Sequence, residues 1–562
     1  MRKVSSLLLL FLLFSASSFA YWPDNGLFIS PTNFGIPEYV NAKIVNDGLD
    51  GYYLIWEDKT DIYTKVYAQR VNEIGEIKWQ SGGIRVCKSY GEQYESVAIP
   101  DGEGGVIVAW TEIRETDKNI YAQKIDRYGN LLWGDDGICV CNYDDDDIRP
   151  RLTTDGNGGA IIAWSHQMDN EEYYYDIYAQ KVSRNGSLMW NNGIVIVFAE
   201  QDQICNSIVP DGNGGAIIIW EDWRTGYADI YAKRVDSNGN AIWEGVVCDA
   251  QYNQIDPVAV VDNECNPIIV WTDDRAYDPN KQNYDIYAQK ISLSSGELLW
   301  TQSGVPVCTI SNNQIAPKIV EDGSGGAVIT WSDKRLGTND PRIYAQRVNS
   351  NGTVMWSTDG INVFPGFDCD ASSGYITRTE DGYYYICGSI RCDSYNDDIY
   401  LQKLDGNGNR LLSPLGQLVC HESNSRYCSG IVSKKSSSAC LVWIDERDGS
   451  SYDIYAQKTD IVTGDITPTS LAETLKQNYP NPFNPITKIE LTIPERSNIE
   501  LSIYDISGRL VENLEKGTLE AGNYEYIWNG KNSKGEIMPS GVYFCRLKTE
   551  YSTKTIKMIL TR

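Results

Sequence analysis

From residue 21 to about residue 460 the chain alternates short apolar runs with polar turns, and this alternation itself recurs. Each unit reads as a strand such as APKIVED, a Gly-rich turn, a strand such as AIIIWED, a variable loop, a strand built on DIYAQ, a turn such as DSNG, and a last strand such as AIWEGVVC. Apolar residues alternating with polar ones mark strands, and no stretch carries a helical period of useful length. Tyr67, Tyr121, Tyr178, Tyr231, Tyr287, Tyr344, Tyr400 and Tyr455 fall at equivalent places, 53 to 57 residues apart, which makes eight units. A unit of four short antiparallel strands cannot cover both its faces alone, so radial stacking is expected. The last unit has three strands and no final Trp strand, while Trp22 to Ile29 matches the last-strand pattern of Trp133 to Val140. The pattern therefore predicts an all-β protein: an eight-bladed β-propeller closed by the N-terminal strand, followed by a small immunoglobulin-like β-sandwich.

The recurring residues read as structural. Trp56, Trp110, Trp164, Trp220, Trp271, Trp331 and Trp443 end the second strands, and Trp79, Trp133, Trp190, Trp243, Trp300 and Trp356 mark the fourth. Recurrence in nearly every unit is what packing between units requires. The pairs Asp222 and Arg224, Asp273 and Arg275, Asp333 and Arg335, and Asp445 and Arg447 are expected to be structural ion pairs, since catalysis needs one constellation and not four. The turns beginning at Asp101, Asp155, Asp211 and Asp322 carry Asp and Asn among glycines. Hairpin turn chemistry explains them, and no cofactor is expected, with Ca2+ the one ion they suggest. The chain has 14 cysteines. Cys87, Cys141, Cys248, Cys308 and Cys420 recur in one setting and are expected as small buried apolar residues, whereas Cys420 and Cys428 bracket one short loop and are the better candidates for a disulfide. No cysteine or histidine spacing suits zinc. The passages DSNGNAIW, DRYGNLLW and NSNGTVMW resemble the tryptophan-docking turn of eight-bladed quinoprotein dehydrogenases. That resemblance covers about eight residues per unit, brings no set of quinone or metal ligands, and implies the architecture alone.

Charge and targeting narrow the function. A net charge of -27 argues against nucleic acid as a partner. Residues 1-20 have the charged, apolar and small-residue order of a signal peptide, and no later apolar stretch suits a membrane helix. Departures from the repeat are where function sits on such scaffolds. The loop from the second-strand Trp to the Tyr spans 14 residues in unit three and 16 in unit five, against 11 in units one, two and four. Around unit three this gives a candidate site of Asp144, Asp145, Asp146, Asp147, His166, Glu171, Glu172, Tyr173, Tyr174 and Tyr175, read either as a cation-assisted or aromatic ligand site or as a solvated acidic loop. Unit seven also departs, with Tyr383 to Cys387 where a Trp strand is expected. With two histidines in the chain and no GxSxG, HExxH, phosphate loop or sialidase-type Asp box, no catalytic residue is nominated. The favoured reading is a non-catalytic binding or adhesion module for an unknown extracellular ligand, a glycan or a protein. The alternative is a polysaccharide-active hydrolase or lyase using variable-loop carboxylates.

After a polar linker at residues 463-476 the repeat gives way to a terminal domain, residues 477-562. Five strands are legible there, at 487-493, 499-505, 523-528, 542-548 and 555-560. The domain opens with Asn478, Tyr479, Pro480, Asn481, Pro482, Phe483, Asn484 and Pro485, and it carries Gly508 and Arg509 in a turn, Gly541 and Tyr543 in a strand, and the basic Lys554 and Lys557 near its end. This set resembles the type A C-terminal sorting domain of the type IX secretion system, which is similar to flagellar-hook-type immunoglobulin-like modules. The resemblance implies an address read by the secretion machinery and outer-membrane sorting components and a secreted or cell-surface location after passage through the periplasm, with either cleavage in the linker before Asn478 or retention of the domain as an immunoglobulin-like anchor. The expected order is a signal peptide (1-20), the propeller (21-462), the linker and the sorting domain.

Overall fold

The computed structural model describes residues 22–561 except 24, 33–40, 60–61, 115, 142–144, 168–173, 278–282, 338–339, 368, 392–395, 436–437, 450, 461–473, 476–477, 494–496, 520–521 and 550–552. The expected signal peptide, most of the linker, and Asp144, Glu171, Glu172 and Tyr173 lie outside the described residues. What is described is all β, with no helix.

The repeat region forms eight four-stranded antiparallel sheets. Sheet one holds Lys43–Asn46, Gly51–Asp58, Lys65–Asn72 and Ile84–Arg85, and sheets two to seven follow the same order. Sheet eight holds Arg426–Lys435, Ser438–Asp445 and Asp453–Asp460, and its fourth strand is Leu27–Ser30, from the opposite end of the chain. Leu27 pairs with Ala456 and Phe28 with Tyr455. The first strand of every sheet lies beside that of the next, and Arg426–Lys435 of sheet eight lies beside Lys43–Asn46 of sheet one. Second strands differ from the expected alternation. Gly51–Asp58 is buried at every position, because neighbouring sheets cover both of its faces. Apolar clusters accordingly bridge the sheets: Trp190 of sheet three packs with Ile218 and Trp220 of sheet four, and Ile29 and Val442 of sheet eight pack with Tyr52 and Trp56 of sheet one.

The glutamine of the IYAQ strands explains the shape of the fourth strands. Gln123, fully buried, donates to the Gly134 carbonyl (2.6 Å) and accepts from the Trp133 N–H (2.9 Å). This bond pair breaks the ladder, so the named fourth strand of sheet two is only Ile138–Cys139. Sheet four has Lys233 at that place, ion-paired to Glu244 (3.0 Å), and its fourth strand runs unbroken over Ala241–Cys248. The fourth-strand indoles reach the following sheet. Trp133 Nε1 donates to the Arg184 carbonyl (3.1 Å), Trp300 to Ser350 (2.9 Å), and Trp22, ahead of Leu27–Ser30, to Glu73 of sheet one (2.9 Å).

The terminal domain has two sheets, one of Thr474–Leu475, Thr487–Ile493 and Gly522–Trp528, the other of Leu510–Leu519, Ser497–Asp505, Gly541–Lys548 and Thr553–Leu560. Its core holds Phe483, Leu501, Trp528, Tyr543 and Met558. Sequence reasoning missed Leu510–Leu519, whose side chains are mostly exposed or half-buried and show no clean alternation. Thr474–Leu475, at the end of the expected linker, pairs with Leu491 and Thr492.

Deleting Trp22–Ser30 uncovers Tyr455 and removes the Trp22 bond to sheet one. Calorimetry is expected to show a fall in the melting temperature of the repeat region, and an unchanged transition would contradict the pairing.

Candidate functional site

Six of the second-strand Trp residues open a polar node, whereas the buried Trp56 Nε1 of sheet one has no hydrogen-bond partner among the described residues. In sheet six, Trp331 Nε1 donates to Asp333 (2.8 Å), Arg335 binds both oxygens of that carboxylate (2.8 and 2.7 Å), and its guanidinium carbon lies 3.7 Å from the Tyr344 ring centroid. Sheet five repeats this with Trp271, Asp273, Arg275 and Tyr287, and sheet eight with Trp443, Asp445, Arg447 and Tyr455, except that the Arg447 guanidinium reaches one oxygen only. Sheet two has Glu112 as the carboxylate between Trp110 and Arg114. Asp333 is fully buried, and a buried carboxylate is tolerable only with its partners in place. The structural ion pairs read from the sequence therefore exist, with an indole and a tyrosine face added to each.

The recurring cysteines complete the node from the preceding sheet. Arg335 reaches Cys308 Sγ (3.4 Å) and the Asp359 carbonyl (2.7 Å). Arg447 likewise reaches Cys420 Sγ (3.5 Å) and the Asn25 carbonyl (2.9 Å), which Leu27–Ser30 carries in from the N-terminal side. These cysteines are buried as expected, but they face polar groups rather than only apolar ones. Burial pushes the Cys248, Cys308 and Cys420 thiols up to about 12, so they remain protonated donors. The candidate pair Cys420 and Cys428 is not bonded: both are free, Cys420 being held in its node while Cys428 packs on Cys387 of sheet seven.

The candidate site of sheet three is largely a rebuilt node. Asp147 replaces the glutamine that begins the corresponding ladder elsewhere, as Gln203 does in sheet four. Fully buried, it accepts from Trp164 Nε1 (2.5 Å) and pairs with His166 Nδ1 (2.8 Å). The His166 ring lies 4.6 Å from that of Tyr178, where other sheets place a guanidinium. Desolvation raises the Asp147 carboxyl, and its bonds to His166, Cys141 and Trp164 oppose that rise. Asp145 stands 3.7 Å from His166 Nε2. The other candidates do not converge there. Asp146 binds Lys118 Nζ (2.6 Å), the Tyr174 hydroxyl accepts from Gln201 (2.9 Å), and the Tyr175 N–H donates to Asp202 (3.1 Å). Adjacent residues of a strand point to opposite faces, which separates Asp146 from Asp147.

The Gly-rich turns are likewise self-satisfied. Asp101 accepts from the Glu103 and Gly105 N–H groups (2.7 Å each), and its second oxygen pairs with Lys124 (3.2 Å). Among the described residues no group of three or more His, Cys, Asp or Glu is arranged to hold a metal ion. What sequence reading missed is a row of tyrosines in the loops of sheets four and five: Tyr252 lies 5.5 Å from Tyr227 and 4.9 Å from Tyr277, ring centre to ring centre. They sit 25 residues apart in loops that do not repeat, so no periodicity marks them.

In the terminal domain the proline-rich motif is built into the fold. Asn478, buried, donates to Thr487 Oγ1 (2.8 Å) and the Pro480 carbonyl (3.1 Å). Asn481 donates to the Lys557 carbonyl (3.1 Å) and accepts from the Ile559 N–H (2.8 Å), which staples the motif to the last strand. Phe483 packs 5.5 Å from Trp528, and the Tyr543 ring lies 5.0 Å from Trp528 on its other side. Tyr479 is exposed. Asn481 is half-buried, and Pro480, Pro482, Asn484 and Pro485 are exposed. Gly508 takes a left-handed φ of 79° in the turn where Arg509 pairs with Asp505 (3.0 Å). Gly541 begins the strand carrying Tyr543, and Lys554 and Lys557 lie on the paired strand Thr553–Leu560.

Residues 485–552 match the model of the FlgD Ig-like domain. The FlgD Ig-like domain thus accounts for most of the terminal sandwich, and a solved FlgD from P. aeruginosa is 33% identical over 13% of this chain and 57% of that one, with a TM-score of 0.11. A protein of unknown function from Dyadobacter fermentans is 9% identical over 66% of this chain and 96% of that chain (TM-score 0.38). PorZ, a surface component of the type IX secretion system of Porphyromonas gingivalis, is 10% identical over 96% and 82% (TM-score 0.24). No curated protein sequence matches the chain.

Two outcomes test the nodes. Arg335→Ala strands the buried Asp333 and should cost about 3–5 kcal/mol in urea unfolding, whereas Arg335→Lys should retain part of that by keeping the charge while losing the fork and the stacking. Asp285, opposite Asp273, is raised from 3.8 to about 7 by desolvation and then by the Asp273 charge. A raised carboxyl binds its proton more tightly in the folded state, so its contribution to stability falls as pH rises from about 4 to about 7. Asp285→Asn should therefore stabilise the protein at pH 8 by roughly 1–3 kcal/mol and flatten the dependence of the melting temperature on pH across that window.

Proposed function

We propose that this chain is an exported recognition protein, with its eight sheets closed into an eight-bladed β-propeller that binds an extracellular glycan or protein without turnover, and with a terminal domain that addresses it to type IX secretion. Closure is supported by the fourth strand that Leu27–Ser30 gives to sheet eight and by the contact between the first strands of sheets eight and one. The observation that carries the non-catalytic reading is the fate of the candidate carboxylates: Asp147 is fully buried with its Oδ1 held by Trp164 and His166, and Asp146 pairs with Lys118. The row of Tyr227, Tyr252 and Tyr277 offers an aromatic contact surface of the kind that binding uses. The sorting reading rests on the motif from Asn478 to Pro485, which leads into the FlgD-like match and is stapled by Asn481 to the last strand of the terminal sandwich.

Two experiments test this. A reporter placed between residues 1–20 and residues 463–562 should reach the surface of a bacterium that has the type IX machinery and stay in the periplasm of one that lacks it, and equal behaviour in both hosts would refute the address. On a polysaccharide panel, binding without reducing-end release is expected, with the Tyr252→Ala variant weakened by roughly tenfold. Release that is abolished by Asp146→Asn would favour the hydrolase or lyase reading instead.

A further inference from the structure

Sheet seven lacks the node. Gly388 stands opposite Tyr400, where Trp443 stands opposite Tyr455 in sheet eight. Arg391 pairs with Asp397 of the third strand (2.7 Å) instead of an aspartate on its own strand. Beside that glycine lies Cys387, fully buried on the second strand, and its Sγ is 2.7 Å from the Sγ of Cys428, buried on the first strand of sheet eight. The Cys428 N–H donates to Ser389 Oγ (2.9 Å), which fixes the offset between the two sheets. Both thiols belong to one apolar cluster with Tyr385, Leu401 and Trp443. The junction of sheets three and four shows the plain form of the same arrangement: the Cys205 N–H donates to Ser165 Oγ (3.1 Å), but the residue before Trp164 is Ala163, so Cys205 has no second thiol there.

We propose that Cys387 and Cys428 are a disulfide site that joins sheets seven and eight covalently, taking the place of the missing node. The oxidant is a disulfide, either of a protein dithiol oxidase or of glutathione. One cysteine thiolate attacks an oxidant sulfur and releases a thiol, and the second thiolate attacks the mixed disulfide, forms the Sγ–Sγ bond and releases the other thiol. Two protons leave the cysteines, and two electrons pass to the oxidant. Closing the bond needs an approach of about 0.7 Å. Because both sulfurs are buried, the exchange belongs to folding, before the two sheets dock. Cys369, next to the first strand of sheet seven, is already disulfide-bonded, so this sheet is one that oxidation reaches. The proposal leans on export only for the supply of oxidant, and the test supplies its own.

The full chain is refolded with oxidised and reduced glutathione until Cys369 resists alkylation, then denatured without reductant, alkylated and mapped by mass spectrometry. Linked peptides carrying Cys387 and Cys428 are expected. Alkylation of both in molecules whose Cys369 is protected would overturn the proposal, as would a Cys428 linked to Cys420. In Cys428→Ser, Cys387 should become alkylatable, and the fall in melting temperature on reduction should be smaller than in the parent by about 5 °C. Cys440→Ser, which removes a buried free thiol of the same sheet, should keep the parent's fall. Should Cys428→Ser fail to fold, the peptide map of the parent chain decides alone.

Discussion

A guanidinium clasped by a buried carboxylate and laid on a tyrosine face is the interaction around which the repeat is organised. The carboxylate also receives an indole N–H, so Asp333 or Asp445 is satisfied from two directions, and neither group can be removed without stranding the others. The arginine meanwhile reaches a carbonyl at the start of the fourth strand and a thiol of the preceding sheet. One side chain thereby ties two strands of its own sheet to its neighbour.

Three sheets depart from that node, and in sheet one the buried Trp56 indole has no acceptor among the described residues. Sheet three moves the acid to the first strand and replaces Arg with His, and so places Asp147 and His166 at the usual distance with different residues. Sheet seven gives up the indole altogether. There a Cβ at Gly388 would stand 2.3 Å from Ile343 of sheet six, so the neighbouring side chain fills the space that the ring occupies elsewhere. The FlgD-like domain solves its own closure differently: the Asn-Pro motif donates to and accepts from the last strand, and Phe483 fills the core beside Trp528.

The repeat was legible because its period is long, its Trp and Tyr positions are regular, and the missing last strand at one end is matched at the other. The ion pairs were legible for the same reason. Less of the candidate site was legible: Asp144 to Asp147 looks like one acidic cluster in sequence, whereas a strand sends Asp146 and Asp147 apart, and burial of the latter follows from the bond that Trp164 donates to it. The tyrosine row and the Cys387 to Cys428 contact join residues from different units, and no local spacing announces such pairs. Leu510–Leu519 escaped notice because an exposed edge strand carries little apolar alternation.

The indole that leaves one sheet to dock on the turn of the next has a bearing on how such a chain could grow. Trp133 needs the carbonyl of Arg184 and the bare backbone of Gly186 against its ring, so the surface it requires is encoded about fifty residues downstream. A segment copied out of phase would inherit a ring without a seat or a seat without a ring. Only duplication of a complete period, cut at the same point in successive copies, carries both halves of the joint along, which favours lineages that change in whole modules.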